Sequence, residues 1–243
     1  MHRYEEGVSW HPTGAAMVRA AVDWRRAGLD VVTDDVLELL APVYRPWQPS
    51  AVAESIADGL DWACARIDGV MSLIESAEGG RRAFDFIVDY LSREETVIPD
   101  ATWDRVQAHC PIADTGRVGY IAYTMSNTRI ATQLFSRAAE AGNTNGMFNL
   151  AALRAQEGEN GEAETWYRRA AEAGQPRAMN DLGVVLSQRR EDAQAETWYR
   201  RAAEAGNTDA MKNLGVVLSQ RGENAEAETW YRRAAEAGHT SKT

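Results

Sequence analysis

The chain has 243 residues, which accommodates two modest domains or one domain followed by a repeat array. Its 44% hydrophobic and 26% charged residues are ordinary for a soluble globular chain. The net charge of −10 argues against nucleic acid as a partner, and the acidity sits in front: residues 1–110 hold 10 Arg against 19 Asp and Glu, whereas residues 111–243 hold 16 Lys and Arg against 17.

Cys64 and Cys110 lie far apart and outside any CxxC or His/Cys cluster, so neither a disulfide framework nor a structural zinc site is expected. MHRYEEGVSW has no apolar core of a signal peptide, and no stretch reaches the ~20 apolar residues of a membrane helix. A cytoplasmic location, no membrane association, no metal and no cofactor are expected. Lys212 and Lys242 are the only lysines among many arginines, a bias of GC-rich genomes that points to an actinobacterium.

In chain order, Thr13 is placed to cap a helix whose apolar positions, Met17, Ala20, Ala21 and Trp24, recur at helical spacing, and Gly28 ends it. Thr33 starts a second helix with Asp34 and Asp35 in its first turn, where the helix dipole favours negative charge; Val36, Leu37, Leu39, Leu40 and Val43 are its apolar members and Pro46 stops it. Ser50 is the cap expected for a third, with Val52, Ile56, Leu60 and Ala63 or Cys64 on one side. Residues 70–75 are β-compatible, 77–80 read as a turn, and 81–86 as a returning strand; Phe84, Ile87, Val88 and Leu91 then give a further helix.

Residues 111–238 divide into four repeats of equal length, 111–142, 143–174, 175–206 and 207–238, each ending AAEAG, with a short tail after them. The last two share the whole of LGVVLSQ and AETWYRRAAEAG. The first is degenerate, as expected of a repeat that docks on another domain, yet it keeps Val118 where the others have Leu150, Leu182 and Leu214. Each repeat reads as two helices. The first runs from the Ala-Met pair through LGVVLSQ; the second is AxAETWYRRAAEA, closed by a glycine able to take the left-handed cap. Gly183 and Ala202 are small enough for close helix approach.

The first-helix positions Met179, Leu182-Gly183 and Leu186 and the second-helix positions Ala195, Tyr199 and Ala202 recur in the next repeat at Met211, Leu214-Gly215, Leu218, Ala227, Tyr231 and Ala234. This spacing resembles the tetratricopeptide repeat and its Sel1-like relatives. The period is slightly shorter than the more usual ~34, with the shortening between the second helix and the next first helix. In front, HPTGAAMVRAAVDW (11–24) and FDFIVDYL (84–91) around three helices and a hairpin resemble the winged-helix domain that follows the nucleotide-binding domain in STAND-type signalling ATPases, where a similar segment leads into a repeat array. The chain contains no GxxxxGK[ST] loop to cradle a triphosphate. The expected fold is therefore all-α: an N-terminal winged-helix-like helical domain with a small β-hairpin, residues 1–110, then an α-solenoid of four helix-turn-helix repeats, residues 111–243.

Trp166, Trp198 and Trp230 are expected to pack between neighbouring repeats rather than to form a stacking ladder. The Arg-Arg pairs that follow them alternate with glutamates at four-residue spacing, as on a salt-bridged outer face. Arg81 and Arg82 form the basic doublet of the turn, read as solvated in preference to a DNA contact; Glu54, Asp58 and Asp61 would repel phosphate.

The repeat resemblance implies a protein or peptide partner bound in the groove lined by the first helices. By motif position that groove is lined by Tyr120 and Tyr123 in the first repeat and by Asn145, Phe148, Asn149, Ala152 and Gln156 in the second. Arg177, Asn180, Asp181, Val184, Ser187 and Gln188 line it in the third, and Asp209, Lys212, Asn213, Val216, Ser219 and Gln220 in the fourth. Amides there can hydrogen-bond a peptide backbone over an apolar floor. No helix follows the fourth AAEAG, so Leu218, Trp230 and Ala234 are expected to expose apolar surface for homo-oligomerisation. No catalytic residues are expected: His109-Cys110 precedes Pro111 and reads as a linker boundary, and Asp34-Asp35 and Glu94-Glu95 read as helix-end charges. The main expectation is an adaptor or scaffold in bacterial signalling or regulation; the alternative is an enzyme whose small-molecule site is assembled between the N-terminal domain and the repeats.

Overall fold

The computed structural model describes residues 2–45, 54–65, 72–93 and 96–240 of the chain. They form fourteen α-helices and one two-stranded sheet, in two compact units, residues 1–133 and 134–243. Ser50, Val52, Pro46, Val70, Met71, Glu94 and Glu95 lie outside the described residues.

The first unit is built around α2 (Pro12–Arg26). Every residue from Pro12 to Trp24 is buried. Alanines at 15, 16, 20 and 21 let α3 (Asp34–Tyr44) and α4 (Ile56–Cys64) pack close on it. Thr33 sits at the N-cap position of α3 with Asp34 and Asp35 in the first turn, and Val36, Leu37 and Leu40 fill the core, whereas Leu39 and Val43 face outward. Two caps differ from expectation. Ser55 caps α4, its hydroxyl accepting from the Asp58 amide at 3.1 Å. α2 begins one residue before Thr13, with Pro12 in its first turn, and its free amides are satisfied by a distant side chain: the Glu54 carboxylate accepts from Thr13 N at 2.7 Å and Gly14 N at 3.2 Å. Glu54 also meets His11 Nδ1 at 2.9 Å with only 5% of its side chain exposed. A carboxylate over a helix N-terminus both accepts orphan N–H groups and complements the dipole.

β1 (Ile74–Ala77) pairs antiparallel with β2 (Gly80–Ala83) through a turn at Glu78-Gly79, and a bridge from Val32 to Arg81 ties the segment before α3 to the hairpin. The second strand ends at Ala83, short of the expected 86, because α5 (Asp85–Ser92) takes over with Ile87 and Leu91 buried one turn apart. The turn arginines stay partly exposed, 24% and 43% of their side chains, and both are ion-paired. Arg81 holds Asp34 with two bonds of 2.8 and 3.1 Å, and Arg82 pairs with Glu75 and Asp30.

Two helices of this unit were not expected: α1 (His2–Trp10) and α6 (Asp100–His109), which buries Thr102, Trp103 and Val106. His109 ends α6 exposed, its Nδ1 2.9 Å from the Arg105 carbonyl oxygen, while Cys110 is buried, so the two do not form a base–nucleophile pair. A 3₁₀ turn (Ile112–Asp114) leads into α7 (Thr115–Thr124). α7 rests on the turn after α2, where a methyl at Gly28 would lie 2.7 Å from Ile121. α8 (Thr128–Glu140) follows, and the division between the two units falls within it.

In the second unit α9 (Thr144–Gln156) packs on α10 (Asn160–Glu172), α11 (Pro176–Gln188) on α12 (Asp192–Glu204), and α13 (Thr208–Gln220) on α14 (Asn224–Thr240). Each second helix also packs on the next first helix. The core is continuous through Leu182, Leu186, Tyr199, Leu214 and Leu218. First helices start at Pro176 and Thr208, two residues before the Ala-Met pair, because Gln175 and Asn207 cap them through their side-chain oxygens. Gly174 and Gly206 end the second helices in the left-handed region (φ 92° and 88°). Gly238 does not; α14 runs through it to Thr240. Leu218, Trp230 and Ala234, expected to be uncovered, are 0%, 6% and 4% exposed because α13 and α14 enclose them.

Candidate binding face of the repeats

The second-helix layer is scaffold. Trp166 and Trp198 are partly buried against the core and Trp230 is buried. Three residues on, the second arginine of each pair covers the ring: Arg169, Arg201 and Arg233 stand 4.8, 4.4 and 4.8 Å from the indole centroids. Arg168 and Arg200 join carboxylate networks that link neighbouring repeats. Glu164 holds Arg168 at 3.0 Å and Arg189 at 2.5 Å. Glu196 holds Arg200 at 3.2 Å and also Arg221, and Arg200 reaches Glu226 at 2.6 Å. These arginines are occupied within the molecule.

Gly183 and Gly215 set the spacing between the helices of a repeat. A methyl on either would lie 2.6 Å from a ring carbon, of Tyr199 and Tyr231 respectively. The side chains this leaves on the opposite side of α9, α11 and α13 form the candidate face.

On it, Val216 is 45% exposed and Val184 half-buried. Gln156, Gln188 and Gln220 are exposed at the helix ends, and Lys212 is exposed and paired with Asp209 at 3.0 Å. Asn149 and Asn213 are half-buried. Asn180 is not on the surface. It is 8% exposed, accepts from Asn213 Nδ2 at 3.0 Å, and donates to Asp181 Oδ1 at 2.9 Å. Phe148, one repeat earlier, is likewise buried, 5.9 Å from the Tyr167 ring and covered by Arg177 at 4.3 Å. The position shared by Phe148 and Asn180 therefore packs against the following first helix rather than facing a ligand. Tyr120 and Tyr123 are exposed on α7, in the unit spanning residues 1–133.

Asp181 gives the face its electrostatic character. Burial raises its pKa from the ordinary carboxylate value, against the bond from Asn180 and the charge of Arg177. The phenols of Tyr167 and Tyr199 are both pushed up to about 12, first by burial and then by the Asp181 carboxylate. Sequence reasoning missed the contribution of these two rings and the cover that Arg177 gives Phe148. No cluster of three or more His, Cys, Asp or Glu among the described residues is arranged to hold a metal, and no described helix is long and apolar enough to cross a membrane.

Comparison with known proteins fits this geometry. Residues 177–205 and 208–237, within the last two repeats, match the tetratricopeptide repeat family. Among solved structures, the chain is similar to a protective antigen of uropathogenic Escherichia coli strains displaying an SLR fold. The TM-score is 0.51 at 24% identity, over 56% of this chain and 33% of that one. It is also similar to a Sel1 repeat protein from Oxalobacter formigenes, at TM-score 0.47 and 28% identity, over 62% and 66% of the respective chains. The chain thus spans a third of the length of the first of these. No curated protein matches it. The fold is all-α, with a tetratricopeptide/Sel1-like helical-repeat solenoid and one small hairpin.

Proposed function

We propose that the protein is an interaction scaffold whose repeats bind an extended peptide or a partner helix across α9, α11 and α13. Tetratricopeptide and Sel1 folds are generally protein–protein interaction scaffolds, and this reading places the interaction on one face. The observation that carries it is the contrast between the two helix layers. The second helices cover their tryptophans with Arg169, Arg201 and Arg233 and pair Arg168 and Arg200 with carboxylates, whereas the first helices present half-buried amides, a carboxylate and exposed Val216. Amides beside an apolar floor suit a peptide backbone with alternating side chains.

The N-terminal unit, with α2, α3 and α4 ahead of its hairpin, is read as a winged-helix-like adaptor in a bacterial signalling assembly, without catalysis of its own. Arg81 and Arg82 are consumed by Asp34, Glu75 and Asp30, which favours a protein-facing role over a phosphate-facing one.

The test is affinity capture from the native host with the wild-type chain and with a Val184→Glu/Val216→Glu variant, its helicity first matched to wild type by circular dichroism. Val216 is exposed and Val184 partly so, which leaves both new carboxylates a route to solvent. A protein captured by the wild type and lost by the variant supports the reading; equal capture of the same proteins refutes it.

A further inference from the structure

The half-buried carboxylates of the repeats are handled differently. The side chains of Glu164 and Glu196 are 16% and 17% exposed, and each holds two arginines. Asp181 is also half-buried, yet no Lys or Arg nitrogen among the described residues lies within 4.0 Å of it. Its neighbours are already engaged. Arg177 lies on the Phe148 ring at 4.3 Å and acts on Asp181 only from a distance, and Asp209 pairs with Lys212 at 3.0 Å.

The carboxylate is also held in place. Asn213 fixes the Asn180 amide at 3.0 Å, and that amide donates to Asp181 at 2.9 Å. The scaffold does not need a charge here, because the equivalent positions of the adjacent repeats are Asn149 and Asn213, which have the same size and no ionic desolvation cost. A fixed, partly desolvated carboxylate with no cation in contact is suited to a cation that a partner brings.

We propose that the peptide recognised by this face carries a lysine or arginine that pairs with Asp181, so that the partner class is a basic segment. This rests on the first-helix face being the binding face. Burial of Asp181 supports it, since an incoming cation restores what burial removes, and the pairing excludes acidic segments at the same position.

The test uses the full-length chain against three immobilised heptapeptide libraries with a central Lys, Leu or Glu and all other positions randomised. Wild type, Asp181→Asn, Val216→Glu and Asp192→Asn are compared after confirming equal helicity. Asp192 is exposed at the start of α12, outside the first-helix face, so its variant is the control for net charge. Wild type is expected to retain peptides from the lysine library, with at least a tenfold loss in Asp181→Asn and none in Asp192→Asn. Retention that disappears in Val216→Glu but survives Asp181→Asn, or that prefers the leucine or glutamate library, overturns the cation site and leaves the binding face standing. Equal loss in Asp192→Asn overturns it as non-specific attraction. No retention from any library overturns both readings.

Discussion

The closeness of the two helices in a repeat makes a prediction that distinguishes two identical substitutions. An alanine at Gly183 places its methyl 2.6, 2.8 and 3.1 Å from three carbons of Tyr199, a ring only 4% exposed and walled in by the next repeat. At Gly215 the same methyl meets Tyr231 at 2.6, 2.8 and 2.9 Å, but that side chain is 40% exposed. Overpacking a closed site costs about 1–3 kcal/mol. Glycine to alanine inside a helix returns roughly 1 kcal/mol of propensity. Gly183→Ala is therefore expected to destabilise by up to about 2 kcal/mol. Gly215→Ala is expected to lie between neutral and a gain of about 1 kcal/mol, because Tyr231 swings toward solvent and the propensity gain is kept. Urea unfolding followed by far-UV circular dichroism, with unchanged m, measures both. Equal losses, or a larger loss at Gly215, would refute the packing argument.

Three further outcomes follow from single contacts. Arg190 holds φ 66° at the end of α11, where Gly158 and Gly222, at the equivalent positions of the repeats on either side, hold 82° and 85°. Relief of the left-handed penalty makes Arg190→Gly stabilising by about 0.5–1 kcal/mol net of unfolded-chain entropy, and a lower urea midpoint would contradict this. Asp181 has its pKa raised by burial, so the folded chain holds that proton more tightly than the unfolded chain. Its destabilising contribution is full above the raised pKa and vanishes below the unfolded value. Asp181→Asn should therefore raise Tm at about pH 7.5 and give a smaller gain at about pH 3.5; an equal gain at both is inconsistent with the burial. Glu54→Ala leaves the Thr13 and Gly14 amides unsatisfied at the start of the most buried helix, with an expected loss of about 1–3 kcal/mol. Faster hydrogen exchange at those two amides reports it, and unchanged exchange counts against the cap.

The repeats were readable because their constraints are local and recur. A constant period, a Leu-Gly beside an aromatic, and a glycine after AAEA each announce one contact, and the Gly183–Tyr199 approach is the contact they predict. The N-terminal unit was less legible because its decisive contacts join distant residues. Nothing near Thr13 announces that Glu54, some forty residues on, caps α2, and Thr13 itself satisfies the local rules for a cap. Arg81 looks free until α3 brings Asp34 beneath it. On the candidate face, Asn180 and Phe148 were assigned outward from a single-helix projection. Their burial comes from the following first helix, which supplies Asn213 and Arg177, so the neighbouring repeat decides which side a residue faces.

The central claim, that the first-helix face and not the second-helix face receives the partner, is tested most directly by site-specific photocrosslinking in the native host. A photoreactive phenylalanine analogue is placed either at Val216 on α13 or at Thr197 on α12, both exposed. A discrete crosslinked protein from Val216, absent from Thr197 and competed by unlabelled chain, is the predicted result. The same product from Thr197, or a product from Thr197 alone, would contradict the account.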